Sequence, residues 1–249
     1  MFDTALLLAA AFVAGALNAV AGGGSFLTLP ALVFTGVPPV AANATGTVAL
    51  LPGYMAGAWG FREDMVPPPG LSMRAVVALS LVGGSAGAAL LLLTPDATFK
   101  KVVPWLLLAA TAMFAFGPKL RQWAGASHHG APSPLRAALG MLAVAAYGGY
   151  FNGGLGILLL ALFGLLGQTR LHAMNGMKNL VSALLTAIAV AIYAAGGVVQ
   201  WEQALVMMIA ATAGGYGGAR LARRIPPEWL RAGIVLTGLV MAGVFFWRQ

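Results

Sequence analysis

Apolar runs long enough to cross a bilayer recur along the whole chain, and nothing else in it constrains the fold so strongly. A span needs about 20 mainly apolar residues, and about eight such runs stand between short clusters of charge or proline. They cover residues 3–20 with a short annex at 25–36, then 40–60, 71–94, 102–117, 135–152 with an annex at 157–167, 171–195, 200–219 and 229–247. With 249 residues, 60% of them hydrophobic and 8% charged, and a mean hydropathy of +0.88, no single water-soluble core hides this much apolar surface. The expected fold class is an all-α polytopic membrane protein with the lipid bilayer as its solvent.

The formal net charge of +8 could suggest nucleic acid. Lys and Arg sit in loops and at span ends, however, where anionic headgroups and the positive-inside rule account for them, so no nucleic-acid partner is expected. The absence of cysteine excludes disulfides, thiolate metal sites and cysteine nucleophiles. Walker loops, HExxH and serine-elbow motifs are missing, and no catalytic residue, metal or cofactor is assigned. The acidic residues Asp3, Glu63, Asp64, Asp96, Glu202 and Glu228 all fall at ends or in loops, which argues against a carboxylate proton relay in mid-membrane. The opening "MFDT" lacks a basic n-region, so the first run is expected to be retained rather than cleaved. A sequon at Asn43 lies inside an apolar run and is discarded.

The two halves of the chain resemble each other. "GSFLTLPALVFTGVPPVAANATGTVAL" lies over "GILLLALFGLLGQTRLHAMNGMKNLVS" without a gap, matching Gly24 with Gly156 and Asn43 with Asn175. Further on, "GGSAGAALLLLTPDATFKK" lies over "GGYGGARLARRIPPEWLRA", matching Pro95 with Pro226 and Lys100 with Arg231. Collinear matches of Gly, Asn, Pro and a basic residue argue for duplication. The expected organisation is a first transmembrane repeat at 1–117, a linker at 118–134 and a second repeat at 135–249. The linker holds His128 and His129, a poor metal site without further ligands.

Topology is left open by the charges. Lys100 and Lys101 in loop 95–101, with Arg220, Arg223, Arg224 and Arg231 in loop 220–231, argue that both loops are cytoplasmic, and the Lys- and Arg-free loop 196–202 argues that it is outside. Lys119, Arg121 and Arg136 would face outside if every run crossed once. Whether the annexes cross or re-enter decides between parallel and inverted halves.

Glycine clusters interrupt two of the runs. In hydrocarbon every backbone polar group needs a partner, so broken helix is tolerated only where protein or an aqueous cavity covers it. Gly22, Gly23 and Gly24 mark such a break, with Asn18 before it, Ser25 as a plausible N-cap and Thr28 one turn on. A helix starting there aims free N–H groups and a positive dipole end at the break, an anion site in outline. The second half offers Asn152, Gly153, Gly154 and Gly156, with Leu155 and Ile157 in place of Gly23 and Ser25, so its site is expected to be weaker or altered. Isolated glycine pairs elsewhere suit close helix packing instead.

A polar stripe follows each break. Asn175, Lys178, Asn179 and Ser182 recur at helical spacing on one face of an otherwise apolar helix, and Asn43 and Thr47 hold the matching face of the first half, with Gly46 opposite Lys178. Lys178 is the only charge well inside an expected span. Either it completes an anion site, or its stem snorkels toward the headgroups near Arg170.

With these residues in view, "NAVAGGGSFLTLPALVFTGVPPVAANATGTVAL" and its weaker second copy resemble the TauE/SafE sulfite-exporter family of membrane permeases over nearly the whole chain. The second half departs from the family pattern at Leu155, Ile157 and "NGMKN". The resemblance implies transport of small sulfur-containing anions such as sulfite, sulfonates or sulfoacetate across a prokaryotic inner membrane, by a multi-pass protein. Helix ends, amides and one lysine point independently to an anion. Duplicated halves around broken helices suit alternating access in a transporter. A passive anion channel needs the same polar path and stays open as an alternative. An intramembrane enzyme, with Ser25, Thr28, Ser182 and His172 as its only candidates, lacks acid–base partners. A second copy of the chain stays open as a partner.

Overall fold

The computed structural model describes residues 2–20, 23–126, 133–222 and 227–247, with some side chains inside these ranges left undescribed, and among these residues the regular structure is wholly helical. The helices are α1 (Phe2–Val20), α2 (Ser25–Phe34), α3 (Pro39–Gly60), α4 (Met73–Leu93), α5 (Asp96–Ala126), α6 (Pro134–Tyr150), α7 (Leu155–Leu165), α8 (Leu171–Ala195), α9 (Trp201–Ala222) and α10 (Pro227–Trp247). Each apolar run has become a helix, and each annex a short helix of 10 or 11 residues. By length and composition, Met73–Leu93 and Leu171–Ala195 are the two described helices long and apolar enough to cross a membrane. Helix α5 continues to Ala126, well into residues expected to form the linker, while His128 and His129 lie outside the described residues.

Local chemistry sets several helix starts. Pro39 opens α3 and Pro134 opens α6, where a missing N–H costs nothing. Ser72 caps α4 by accepting from the Ala75 N–H at 3.2 Å. Asp96 reaches across to the start of α3 and accepts from the Val40 N–H at 2.9 Å. That bond ties the beginnings of α3 and α5 to one end of the bundle.

Helix directions follow from named contacts. Gly176 of α8 lies against Phe61 and Met65 just beyond α3, and Gly57 of α3 lies against Asn179, so α3 and α8 run antiparallel. Trp105 meets Phe246 edge-on at 5.2 Å while Gly238 abuts Thr111, so α5 and α10 run antiparallel too. The pairing survives exchange of the halves: α1 packs on α9 as α6 packs on α4, and α3 on α9 as α8 on α4.

Two ends result. The lysine end carries Lys100, Lys101, Asp96 and the starts of α3 and α9, the last joined to α3 by the Gln200 N–H donating to Thr45 Oγ1 at 3.0 Å. The arginine end carries Arg62, Arg74, Arg136 and Arg170 at the ends or starts of α3, α4, α6 and α8. Phe2 and Leu6 share an apolar cavity of about 720 Å³ with Phe34, Gly36, Lys100 and Phe245, so α1 begins and α2 finishes at the lysine end. The α1–α2 pair is therefore a hairpin that returns to the end it came from. At the opposite end, Gln168 just after α7 donates to the Val66 carbonyl at 2.6 Å, while α6 points its last residues at the lysine end through Asn43. Here lies a correction: Lys100 and Lys101 stand at the opposite end from the start of α10, because α10 starts where α5 finishes, so the described flanks of 95–101 and 220–231 do not share one side as the charges argued.

Candidate functional site

The two short helices begin inside the bundle rather than at its surface. Gly24, before α2, packs against Leu50 halfway along α3, and Gly148, close to the end of α6, packs against Leu155 and Leu185 beyond the middle of α8. Gly23, Gly24, Ser25, Asn152, Gly153, Gly154 and Gly156 are all buried there. Gly22 lies outside the described residues.

The α2 start differs from expectation. Gly24, not Ser25, occupies the N-cap position, without a side-chain cap, and its right-handed φ of −58° already belongs to the helical turn. Phe26 N–H bonds to the Gly23 carbonyl at 3.2 Å, and Leu27 and Thr28 N–H bond to that of Gly24 at 3.1 and 3.3 Å. The turn closes one residue earlier than a serine cap requires, and Ser25 becomes the first residue of the helix.

The second break is sharper. Helix α6 stops at Tyr150, Phe151 is extended, and Gly154 turns the chain at φ +73°, a left-handed conformation glycine adopts without a Cβ penalty. A helix that stops in an apolar interior leaves carbonyls without partners at its C-terminal end. Side chains supply the donors: Tyr193 of α8 donates to the Gly149 carbonyl, Asn43 of α3 to that of Tyr150 at 3.0 Å, and Tyr147 to that of Gly153 at 2.6 Å. The donor side is not matched. Leu155 N–H makes only a long 3.4 Å bond to the Asn152 carbonyl, and the N–H groups of Gly153, Gly154 and Gly156 find no acceptor among the described residues. The carbonyls of Gly149, Tyr150 and Gly153 are thus taken by side chains while the amides of Gly153, Gly154 and Gly156 stay open.

Asn152 anchors this turn from the side. It accepts from Tyr54 OH of α3 at 3.0 Å through Oδ1 and donates through Nδ2 to Thr186 Oγ1 of α8 at 3.4 Å. Tyr54, Asn152 and Thr186 are at most 3% exposed, and Asn18 is 8% exposed. The chain of bonds runs from α3 through the second break to α8, with Asn18 buried on α1.

The polar stripes divide between structure and open chemistry. Asn43 and Thr47 are buried with their donors committed to backbone carbonyls, Thr47 to that of Asn43 at 2.7 Å. Asn175 and Asn179 are half-buried, Asn179 lying over Gly57. Lys178 is 3% exposed, and its ammonium has no hydrogen bond or ion pair among the described residues. Ser182, one turn further on, is fully buried with an unpartnered Oγ, and Asn18 Oδ1 and Thr28 Oγ1 are likewise buried without partners. Each such group costs about 1–3 kcal/mol when left unmatched. His172 is exposed at the start of α8 against Phe61, roughly 15 Å of helix from Ser182 at 1.5 Å per residue.

Tyr54, Thr186, Tyr147 and Tyr193 were not singled out from the sequence. One signal was there: Tyr54 and Thr186 fall at matched places in the overlay of the halves, at the same offset as Gly24 and Gly156.

Comparison with known proteins points to membrane transporters. The chain is 29% identical over 259 residues to a probable membrane transporter protein of Haemophilus influenzae, covering 98% of this chain and 95% of the relative. It is 27% identical to the probable membrane transporter protein ORF9 of a Sinorhizobium species, covering 96% and 90%, and 26% identical to the probable membrane transporter protein YfcA of Escherichia coli K12, covering 95% and 87%. No solved structure matches. The model of the sulfite exporter family TauE/SafE matches residues 7–245, and the chain belongs to that family of membrane transporters.

Proposed function

We propose that this protein is a secondary transporter that exports small sulfur-containing anions, such as sulfite, sulfonates or sulfoacetate, across a prokaryotic inner membrane by alternating access. The observation that carries the reading is the unequal second break, whose carbonyls are taken by Tyr193, Asn43 and Tyr147 while the amides of Gly153, Gly154 and Gly156 stay open. Such a turn attracts negative charge and repels cations. Lys178 and Ser182 on α8, with Asn175 and Asn179 beside them, supply further donors, and Asn18, Gly22 to Ser25 and Thr28 form the matching region of the first half. Asn43 and Thr47 hold the frame.

Residues 1–117 and 135–249 act as two inverted copies joined through 118–134, with eight long helices as spans and α2 and α7 as re-entrant arms. The antiparallel run of α3 against α8 and of α5 against α10 supports the inversion. Arg62, Arg74, Arg136 and Arg170 support a cytoplasmic arginine end by the positive-inside rule. Rocking of one copy against the other opens the region between the two breaks to each side in turn.

Anion flux into proteoliposomes tests the assignment. Lys178→Ala and Gly23→Leu are expected to lower sulfite or sulfonate flux at least about tenfold, since each removes or blocks a group placed at the anion. Parent-like flux in both variants refutes the site.

A further inference from the structure

The apolar cavity at the lysine end takes no part in the anion site. It runs along the helix axes: Phe2, Leu6 and Ala10 line it at every fourth residue of α1, about 12 Å of helix at 1.5 Å per residue. Pro30 and Phe34 of α2 belong to a second wall, and Met241 and Phe245 of α10 to a third. That length is close to one leaflet's share of a hydrocarbon core about 30 Å thick. Exposed Phe2 and Phe34 stand at the outer rim beside the turn between α2 and α3, and Lys100 of α5 joins them. Among the described residues Lys100 is the one charged group in the lining, which holds no carboxylate. Asp96, one turn earlier on α5, lies outside it and accepts from the Val40 N–H.

We infer that this slot holds one acyl chain of a phospholipid from the leaflet at the lysine end, with the phosphate at Lys100. In a bilayer the solvent around an apolar opening is hydrocarbon, and a void left there forfeits the dispersion contacts of its walls. The cavity of about 720 Å³ has the size of pockets that enclose one drug-sized apolar ligand, enough for a single chain. A helix is about 10–12 Å across with its side chains, so a 12 Å length of it fills about 900 Å³ or more and does not fit inside. A small anion finds no nest of amides here either, because the Gly36 and Val37 N–H groups are bonded to the Val33 and Leu32 carbonyls at 3.1 and 3.0 Å. A lysine ammonium has three donors, and a lipid phosphate needs only one of them. The chain packs along α2 as far as Phe26, two residues from Gly24 at the first break, and braces the arm that starts there. None of this depends on which solute is carried.

Dioleoylphosphatidylglycerol and dioleoylglycerol are the probes, alike in their chains and different by the phosphate headgroup. Each is added to delipidated full-length protein in detergent, and binding is read by the shift in melting temperature and by the lipid retained in native mass spectrometry. The parent is expected to gain several degrees with the phospholipid and clearly less with the diacylglycerol, since a ligand that binds only the folded state stabilises it. Ala10→Phe fills the slot and loses both shifts. Lys100→Met keeps the diacylglycerol shift and loses the advantage of the phosphate, while Lys101→Met, exposed and outside the lining, keeps both. Equal shifts for the two lipids in the parent overturn the inference, and so do parent-like shifts in Ala10→Phe or a preference lost as fully in Lys101→Met as in Lys100→Met. A dimer that Ala10→Phe abolishes and lipid leaves unchanged also overturns it, making the slot a seat for a second copy. Lys100→Met alters only a rim side chain and decides the case if Ala10→Phe does not fold.

Discussion

The two helix starts that resemble each other in sequence solve the same physical problem in different ways. Before α2, Gly24 holds an ordinary right-handed conformation and is needed because the Ala14 carbonyl and the Leu50 side chain come within 2.9 and 3.0 Å of where a Cβ would stand. Before α7, Gly154 is needed for its left-handed φ of +73°. One is a glycine of close approach and the other a glycine of backbone conformation. The difference continues along α3 and α8: where α8 carries Lys178, α3 carries Gly46 packed under Thr28. The first half is closed by contact and the second by a charged, sharply turned device, so matched positions in this chain have taken up unlike work.

Substitution of the two glycines breaks this comparison with the largest effects. Gly154→Ala forces an L side chain to positive φ, costing about 1–2 kcal/mol, and sets its Cβ 3.0 Å from that of Ala110. Gly24→Ala carries no dihedral strain and costs about 1–3 kcal/mol from overpacking against a carbonyl. Both lower the melting temperature of the purified protein. Asn separates them: it tolerates the left-handed region, so Gly154→Asn recovers stability relative to Gly154→Ala, whereas Gly24→Asn is worse than Gly24→Ala. Equal behaviour of Asn and Ala at both sites removes the distinction.

The Tyr54–Asn152–Thr186 chain gives effects of similar size or smaller. Tyr54→Phe leaves the buried Asn152 Oδ1 without its 3.0 Å donor, which costs about 1–3 kcal/mol. Thr186→Val removes a longer 3.4 Å contact and costs less, about 0.5–1.5 kcal/mol. Both loosen the turn that presents the open amides, so anion flux falls in the same order as melting temperature. Flux unchanged in Tyr54→Phe, with the expected loss of stability, means that Asn152 supports the bundle and not the site.

Much of this architecture was legible in the chain, and the reason is the solvent. A bilayer leaves helix as the cheap way to satisfy backbone in long apolar runs, so run lengths gave helices close to their true bounds: 171–195 for Leu171–Ala195, and 40–60 for Pro39–Gly60. The interruptions at Gly24 and Gly154 were legible as well, from the amide or hydroxyl residues beside the glycines, while the pairs at Gly83 and Gly214 stay inside α4 and α9 as packing glycines. Direction was not. The basic residues of 95–101 and 220–231 look alike in sequence, and only the contacts of Trp105 with Phe246 and of Gly238 with Thr111 separate the two ends. Carbonyl capping was hidden for a related reason. Asn43 and Tyr193 reach partners 107 and 44 residues away, and no local spacing announces such bonds. A tyrosine in an apolar run reads as packing until the carbonyl it serves is located.

The smallest effects sharpen the comparison most, because stability and transport separate. Thr28 Oγ1 and Ser182 Oγ are both buried without partners, one on α2 and one on α8. Thr28→Val and Ser182→Ala each remove an unmatched hydroxyl at nearly constant shape, so each is neutral or stabilising by up to about 1 kcal/mol, visible as a small rise in melting temperature. Their transport differs. Thr28 fills the space beside Gly46, so Thr28→Val loses less flux than Ser182→Ala. Ser182 stands one turn from Lys178 with its donor free for an oxyanion, so Ser182→Ala loses flux several-fold, the worth of one hydrogen bond to a charged group. If the losses are equal, the two halves share the anion evenly and the division of labour between Gly46 and Lys178 is wrong. If Ser182→Ala alone stays at parent flux, the anion passes α8 on another face.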